Sequence, residues 1–350
     1  MQKLQFKIIT ALAVLVGFAA PAQADLCNPC NFSCSEIEIG VDWLYWTTCI
    51  SNQEYAIVVD PSETGAHVTK KYLCDDWDSG VRVYGKIDNI WNGFNGALIY
   101  TYFNPNSKGS TEGFLVFPAT SFPTSIEDIL QNDEGFEFTG NSMEADWELK
   151  YQSIDAVLSY DLNVSCNPCL EVAAFSGLTW VSIKQKRNDL YERQIIIDEI
   201  DALASIRFDR HFDCSAIGPT FGLSTSYKLC DCLNIFGTFQ TSLVVGENKN
   251  NEIIYEDLSA EGEESITFTN YIDYKDKCFC FPGLHLLAGV DYEACICNFN
   301  IAVRLGWEYV QWINAPTFSY YELEGFGSTS APSNKNLTMQ GIFLGLNTTF

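Results

Sequence analysis

Cysteine is the residue type here with the most chemistry to offer. Fourteen occur in 350 residues, clustered as Cys27/Cys30/Cys34, Cys166/Cys169, Cys230/Cys232, Cys278/Cys280 and Cys295/Cys297, with Cys49, Cys74 and Cys214 alone. Two copies of Cys-Asn-Pro-Cys, at 27–30 and 166–169, have the spacing of half a zinc site or of a dithiol redox centre. Neither chemistry is supported by its surroundings, because no strand-to-helix pattern follows either motif and His67, His211 and His285 are isolated in the sequence. A hydrolase would need a nucleophile oriented by a base. No Ser-His-Asp or Asp-His arrangement assembles from the spacings, so no enzymatic activity, metal or cofactor is expected.

The compartment decides what the thiols do. Lys3 and Lys7 precede an apolar run from Ile8 to Ala20, and Ala22-Gln23-Ala24 supplies a small-x-small cleavage pattern. Residues 1–24 read as a cleaved export signal, with 25–350 as the mature protein and 25–36 as a short cysteine-rich lead-in. An even cysteine count in an exported chain reads as disulfide chemistry whose connectivity the sequence does not contain. Loss of the leader removes two lysines and no acid, moving the net charge from −25 to −27. Nucleic acid is excluded as a partner, because phosphate contacts need the opposite sign.

The elements that must position these residues are strands. Phe299, Ile301, Val303, Leu305, Trp307 and Tyr309 alternate with Asn300, Ala302, Arg304, Gly306 and Glu308. Ile37, Ile39, Val41, Trp43 and Tyr45 likewise oppose Glu38, Gly40 and Asp42, and Leu284, Leu286, Ala288 and Val290 oppose His285, Gly289, Asp291 and Glu293. Period-two alternation of this kind marks strands with one greasy face and one polar or small face. Their length exceeds the usual ~5–6 residues of a sandwich strand and meets the ~9–11 that a tilted membrane-crossing strand needs. Trp and Tyr near the ends of the greasy face suit an aromatic girdle at the lipid interface.

The expected fold is therefore all-β: a transmembrane antiparallel up-and-down β-barrel of about ten strands, within roughly 8 to 14. Closure is obligatory, since an open edge in hydrocarbon leaves backbone groups unpaired at several kcal/mol each. Candidate strands are 37–47, 79–89, 95–103, 144–162, 170–184, 212–229, 233–246, 279–293, 298–312 and 336–350. Long extracellular connections (48–78, 104–143, 185–211, 247–278, 313–335) alternate with short periplasmic turns, and 104–143 and 185–211 leave room for extra strand pairs. Three of the four short turns carry paired cysteines, and the N-terminal segment before the first strand carries three more. That places Cys27, Cys30, Cys34, Cys166, Cys169, Cys230, Cys232, Cys295 and Cys297 on the periplasmic side as disulfide candidates. Cys-x-Cys neighbours rarely satisfy disulfide geometry between themselves. They serve either as staples within the chain or as links to another protein, and the sequence leaves both open.

The inner face would carry Glu38, Asp42, Arg82, Lys86, Lys150, Glu171, Lys228, Asp291, Glu293, Arg304 and Glu308, charges of both signs that water must solvate. Acidic stretches at 75–78, 198–201 and 261–264 would draw cations toward the mouth. Ten strands enclose a narrow bore, so the expected activity is slow, weakly cation-preferring diffusion of small solutes. The rival reading is an envelope scaffold or adhesin held by disulfides. The chain closes on an alternating strand ending at Phe350, a C-terminal signal for the barrel-assembly machinery, and outer-membrane lipid is the other expected partner.

Several segments resemble the Legionella-type major outer-membrane protein family, pore-forming barrels also found in chlamydia-like bacteria. They are Ile217-Gly218-Pro219-Thr220-Phe221-Gly222-Leu223, Ser242-Leu243-Val244-Val245-Gly246, Gly306-Trp307-Glu308-Tyr309-Val310-Gln311-Trp312-Ile313-Asn314 and the closing strand from Leu337 to Phe350. The resemblance implies a bacterial outer-membrane barrel. Thr220 stands where that family would carry a basic residue after Gly-Pro, and the cysteine richness is similar to that of chlamydial envelope proteins, which implies disulfide cross-linking.

Overall fold

The computed structural model describes residues 37–50, 54–62, 65–73, 76–91, 93–113, 115–118, 137–162, 169–197, 200–260, 265–296, 299–316, 320–324, 327–331 and 334–350. The leader, the lead-in 25–36, and Cys27, Cys30, Cys34, Cys166 and Cys297 lie outside them. Every element among the described residues is a strand. These are β1 (Ile37–Ile50), β2 (Glu54–Ser62), β3 (Gly65–Tyr72), β4 (Asp78–Trp91), β5 (Phe94–Phe103), β6 (Asn106–Gly113), β7 (Leu115–Pro118) and β8 (Glu137–Leu162). They continue with β9 (Leu170–Ile197), β10 (Ile200–Cys230), β11 (Leu233–Ala260), β12 (Ile266–Ile296), β13 (Phe299–Pro316), β14 (Tyr320–Glu324), β15 (Gly327–Ala331) and β16 (Asn334–Thr349).

Ten strands form one antiparallel ring in the order β5-β4-β1-β16-β13-β12-β11-β10-β9-β8, closed by β5 against β8. β6 prolongs β5 along the same neighbour, pairing Asn106 with Glu148. From Trp43, partners lead one way through Val81, Tyr102, Gln152, Ser182 and Ser215 to Glu247. The other way leads through Leu344, Leu305 and Val290 to Ile235. The two routes land twelve residues apart on β11, which is the stagger of the barrel. Twelve residues of rise spread over ten strand spacings tilt the strands by about 40°. The seam between the chain ends is bonded both ways, Phe350 N to Ile37 O at 3.0 Å and Ile37 N to Phe350 O at 3.3 Å.

Alternation fixes the two faces. Ile39, Leu98, Leu158, Leu178, Phe221, Leu243 and Leu346 point outward with about half their surface exposed, and similar residues surround the barrel. Aromatic rings border this belt on the outside. Trp43 stacks on Tyr45 at 5.6 Å, Tyr45 on Trp77 at 5.2 Å, and Trp77 meets Trp307 edge-on at 6.1 Å. Such an apolar band, with every backbone edge closed, is what a lipid environment demands.

The ring matches the expected ten strands, but the strand ends do not match. β9 to β12 run 28 to 31 residues. Within 185–211 and 247–278, expected as loops, residues 185–197, 200–211, 247–260 and 266–278 instead continue the strands and carry the wall well beyond the belt. They read as loops because both faces turn polar once lipid is left behind. Within 48–78 and 104–143, β2 pairs with β3 and with β7 to form a three-stranded sheet against the inside of the wall. Its Tyr55, Ala56, Ile57, Val58 and Val116 are buried. Gly109 of β6 leaves the space Tyr55 fills, since a Cβ there would lie 2.7 Å from the ring.

Candidate functional site

Even-numbered residues of β1, β4, β10 and β13 and odd-numbered residues of β8, β9 and, from Phe279 onward, β12 turn inward, and they divide the lumen into tiers. The tier at the short-turn end surrounds a cavity of about 810 Å³. Among the residues expected to line a lumen, Glu38, Asp42, Arg82, Lys86, Glu171, Asp291, Glu293, Arg304 and Glu308 border it. Lys228 sits at its rim, exposed and 3.3 Å from Glu171. Lys150 is a correction: the register of β8 buries Leu149 and Tyr151 and turns Lys150 outward, beside Tyr102.

The mouth is a set of paired charges. Lys86 Nζ donates to Glu38 at 2.8 Å, Asn347 donates to the other oxygen of Glu38, and Asn234 Nδ2 bridges Asp291 and Glu293 at 2.8 Å each. Further in, Arg304 donates to the Tyr84 hydroxyl at 2.8 Å and lies 4.4 Å over the Phe236 ring, so the guanidinium is held by both a hydrogen bond and a ring face. Nine carboxylate side chains border the cavity against Arg82, Lys86 and Arg304, with His285 beside them. The compartment is therefore strongly negative.

At the inner end, Arg82 bridges Asp42 at 3.2 Å and Glu308, and His285 Nε2 meets the same Glu308 oxygen. Arg82, Asp42 and Glu308 are all nearly inaccessible to solvent. Burial of such charges is tolerable only because each carboxylate has a cationic partner. Asp155 belongs to the same level, accepting from Gln240 at 3.0 Å and from Thr179, while Ser242 donates to Thr220 at 2.9 Å. Asp155, Thr179 and Gln240 escaped the sequence reading. Their signal, single polar residues at inward parity, is legible only once the parity of each strand is known.

Above this level the lumen is apolar. Trp46, Phe103, Tyr151, Phe281, Trp312, Leu337 and Met339 are buried inside the ring, with Trp46 and Phe103 edge-on at 5.3 Å and Phe281 and Trp312 at 5.5 Å. Trp312 packs where Gly283 has no side chain, since a Cβ there would lie 2.4 Å from its ring. An inner face polar throughout was the expectation, and it fails here. The available signal is a run apolar on both faces, such as Trp43-Leu44-Tyr45-Trp46.

Beyond the apolar tier a second buried network ties β9, β10 and β11 together. Arg210 donates to Asp189 at 3.0 Å and to Glu252 at 2.7 Å, and Arg187 grips Asp189 at 2.9 Å. Arg187 also donates to the Glu54 carbonyl at 3.0 Å, anchoring the inner sheet to the wall. Of the cysteines at the short-turn end, Cys169, Cys230, Cys232 and the backbone of Cys295 are described. Cys232 is disulfide-bonded whereas Cys230 is an exposed free thiol, so that turn does not close on itself.

The model of the Legionella pneumophila major outer membrane protein precursor family matches residues 28–350. No curated protein matches the chain. Among solved structures, the outer membrane protease OmpT from Escherichia coli is similar at 11% identity, covering 93% of this chain and 99% of that one, with a TM-score of 0.38. Ail, the attachment invasion locus protein of Yersinia pestis, is similar at 9% identity over 90% and 99% of the two chains, with a TM-score of 0.24. A Pseudomonas aeruginosa FadL homologue is similar at 7% identity over 91% and 90%, with a TM-score of 0.26. With a closed ten-stranded ring, a lipid-facing belt and a family match over nearly its whole length, this chain belongs to the Legionella pneumophila major outer membrane protein family, barrels of the bacterial outer membrane.

Proposed function

We propose that the barrel is a narrow pore for water and small cations. The observation that carries this reading is the carboxylate-rich cavity of about 810 Å³ that opens at the short-turn end. Field lines concentrate between low-dielectric walls, so an excess of carboxylates raises the local cation concentration and repels anions. Arg82, set between Asp42 and Glu308, leaves hydrated anions no path free of carboxylates at the cavity's inner end. The apolar tier around Trp46 and Phe103 is the resistive element, since a hydrophobic constriction limits conduction by excluding water. No step in this reading is catalytic.

Planar-bilayer recording of the refolded protein tests it. The expected result is small, cation-preferring conductance steps that grow several-fold in a Trp46→Ala/Phe103→Ala double variant. Anion preference, or silence in both proteins, removes the proposal.

The free Cys230 thiol beside the bonded Cys232 favours a second role as a disulfide-linked envelope scaffold. A ladder on non-reducing gels of envelope fractions that collapses with reductant supports it, and a lone monomer band opposes it.

A further inference from the structure

We propose that a row of lysines on the outer surface of β8 to β12, immediately above the apolar belt, binds the phosphate groups of an outer-leaflet lipid. Lys150 of β8 stands directly opposite Lys184 of β9, and Lys249 of β11 directly opposite Lys275 of β12. All four face outward and are exposed. Like charges placed opposite each other across a sheet repel. Two such pairs in one row are costly unless an anion covers them. The chain has 20 basic residues against 45 acidic ones, yet Lys186 joins these four to put five in this row.

Acids are present but do not balance it. Asp213 bonds Lys184 at 2.9 Å, Glu247 bonds Lys275 at 3.1 Å, and Glu148 pairs across from Lys186. The groove between the strands, about 380 Å³, is lined by Lys150, Lys184, Lys186 and Lys249 against only Glu148 and Asp213, with His211 also facing it. That leaves a positive groove on a protein of net charge −25.

Its position names the ligand. Along each strand the row begins where the outward apolar residues stop: Lys150 follows Ile154, Lys184 follows Trp180, Asp213 follows Ile217 and Lys249 follows Val245. Trp180 Nε1 donates to Ser215 Oγ at 3.1 Å on this boundary. Long connections lie at this end of the ring, which places the row at the external leaflet. Acyl chains would lie on the belt and a phosphorylated headgroup in the groove. From β8 to β11 the lysines span three strand spacings, roughly 14 Å, wide enough for two phosphates rather than one.

Native mass spectrometry of the detergent-solubilised full protein decides this, with bis-phosphorylated lipid A, its dephosphorylated form and inorganic phosphate as probes. The expected result is at least ten-fold higher occupancy by the phosphorylated lipid. A Lys184→Gln/Lys186→Gln/Lys249→Gln variant loses that preference, while Lys70→Gln/Lys108→Gln, which removes exposed lysines of β3 and β6 paired with Glu54 and Asp146 outside the groove, keeps it. Heat-modifiable migration reports whether each variant is folded, and if the triple variant is not, the two lipids on the wild type decide alone. Equal binding of the two lipids, an unaffected triple variant, or displacement by inorganic phosphate at the lipid's own concentration overturns the proposal.

Discussion

Arg82 illustrates how strongly context sets the worth of one charge. It is buried between Asp42 and Glu308, so Arg82→Met leaves two carboxylates without the guanidinium that bridges them. Breaking a buried cluster by removing one partner costs about 3–5 kcal/mol. Urea unfolding in lipid vesicles, followed by tryptophan fluorescence, is expected to show a loss of that size. Lys86→Met removes the half-exposed pair with Glu38, where solvent screening limits the loss to about 1 kcal/mol or less. Equal losses in the two variants would show that the lumen screens both sites alike. The thiols differ in the same way. Cys214 is buried, whereas Cys280 is exposed. Labelling needs access to the sulfur, so maleimide at neutral pH should spare Cys214. Cys280→Ser is expected to lower the label count of the folded protein by one, and Cys214→Ser to leave it unchanged, as read by intact mass.

At the scale of elements, the period-two pattern identified each ring strand because one face is set by lipid. It stopped identifying strands where lipid ends, which is why 185–211 and 247–278 read as connections although they continue the ladder. The inner sheet of β2, β3 and β7 was not legible, since β7 and the Arg187 contact to the Glu54 carbonyl lie far in sequence from the β2-β3 hairpin they hold. Gly109 is the weak point of that docking. Gly109→Val should displace Tyr55 and expose β2 and β3, seen as faster protease cleavage on intact cells with heat-modifiable migration of the barrel unchanged. Cleavage at the wild-type rate would mean that the wall does not hold the sheet through this contact.

The whole molecule depends on its seam. Deleting Phe350 removes the two backbone hydrogen bonds that join it to Ile37 and shortens the last turn of pairing between β16 and β1. Because an unpaired edge in hydrocarbon costs several kcal/mol per group, the folded yield should fall several-fold while the migration of the folded fraction stays the same. Quantifying folded and unfolded bands after membrane extraction checks it, and an undiminished yield would place the closing energy elsewhere in the ring.

Sidedness, strand number and membrane placement were already determined by the sequence, because each follows from local alternation at one or two residues' range and from the solvent each face must meet. Glu38, Arg304 and Glu308 could be assigned inward on parity alone. Their partners could not. Which carboxylate meets Arg82, that Trp46 and Trp312 fill the lumen beyond the charged tier, and that lysines of three different strands converge in one groove all depend on the twelve-residue stagger of the closed ring. The stagger is a property of closure, and no single strand contains it.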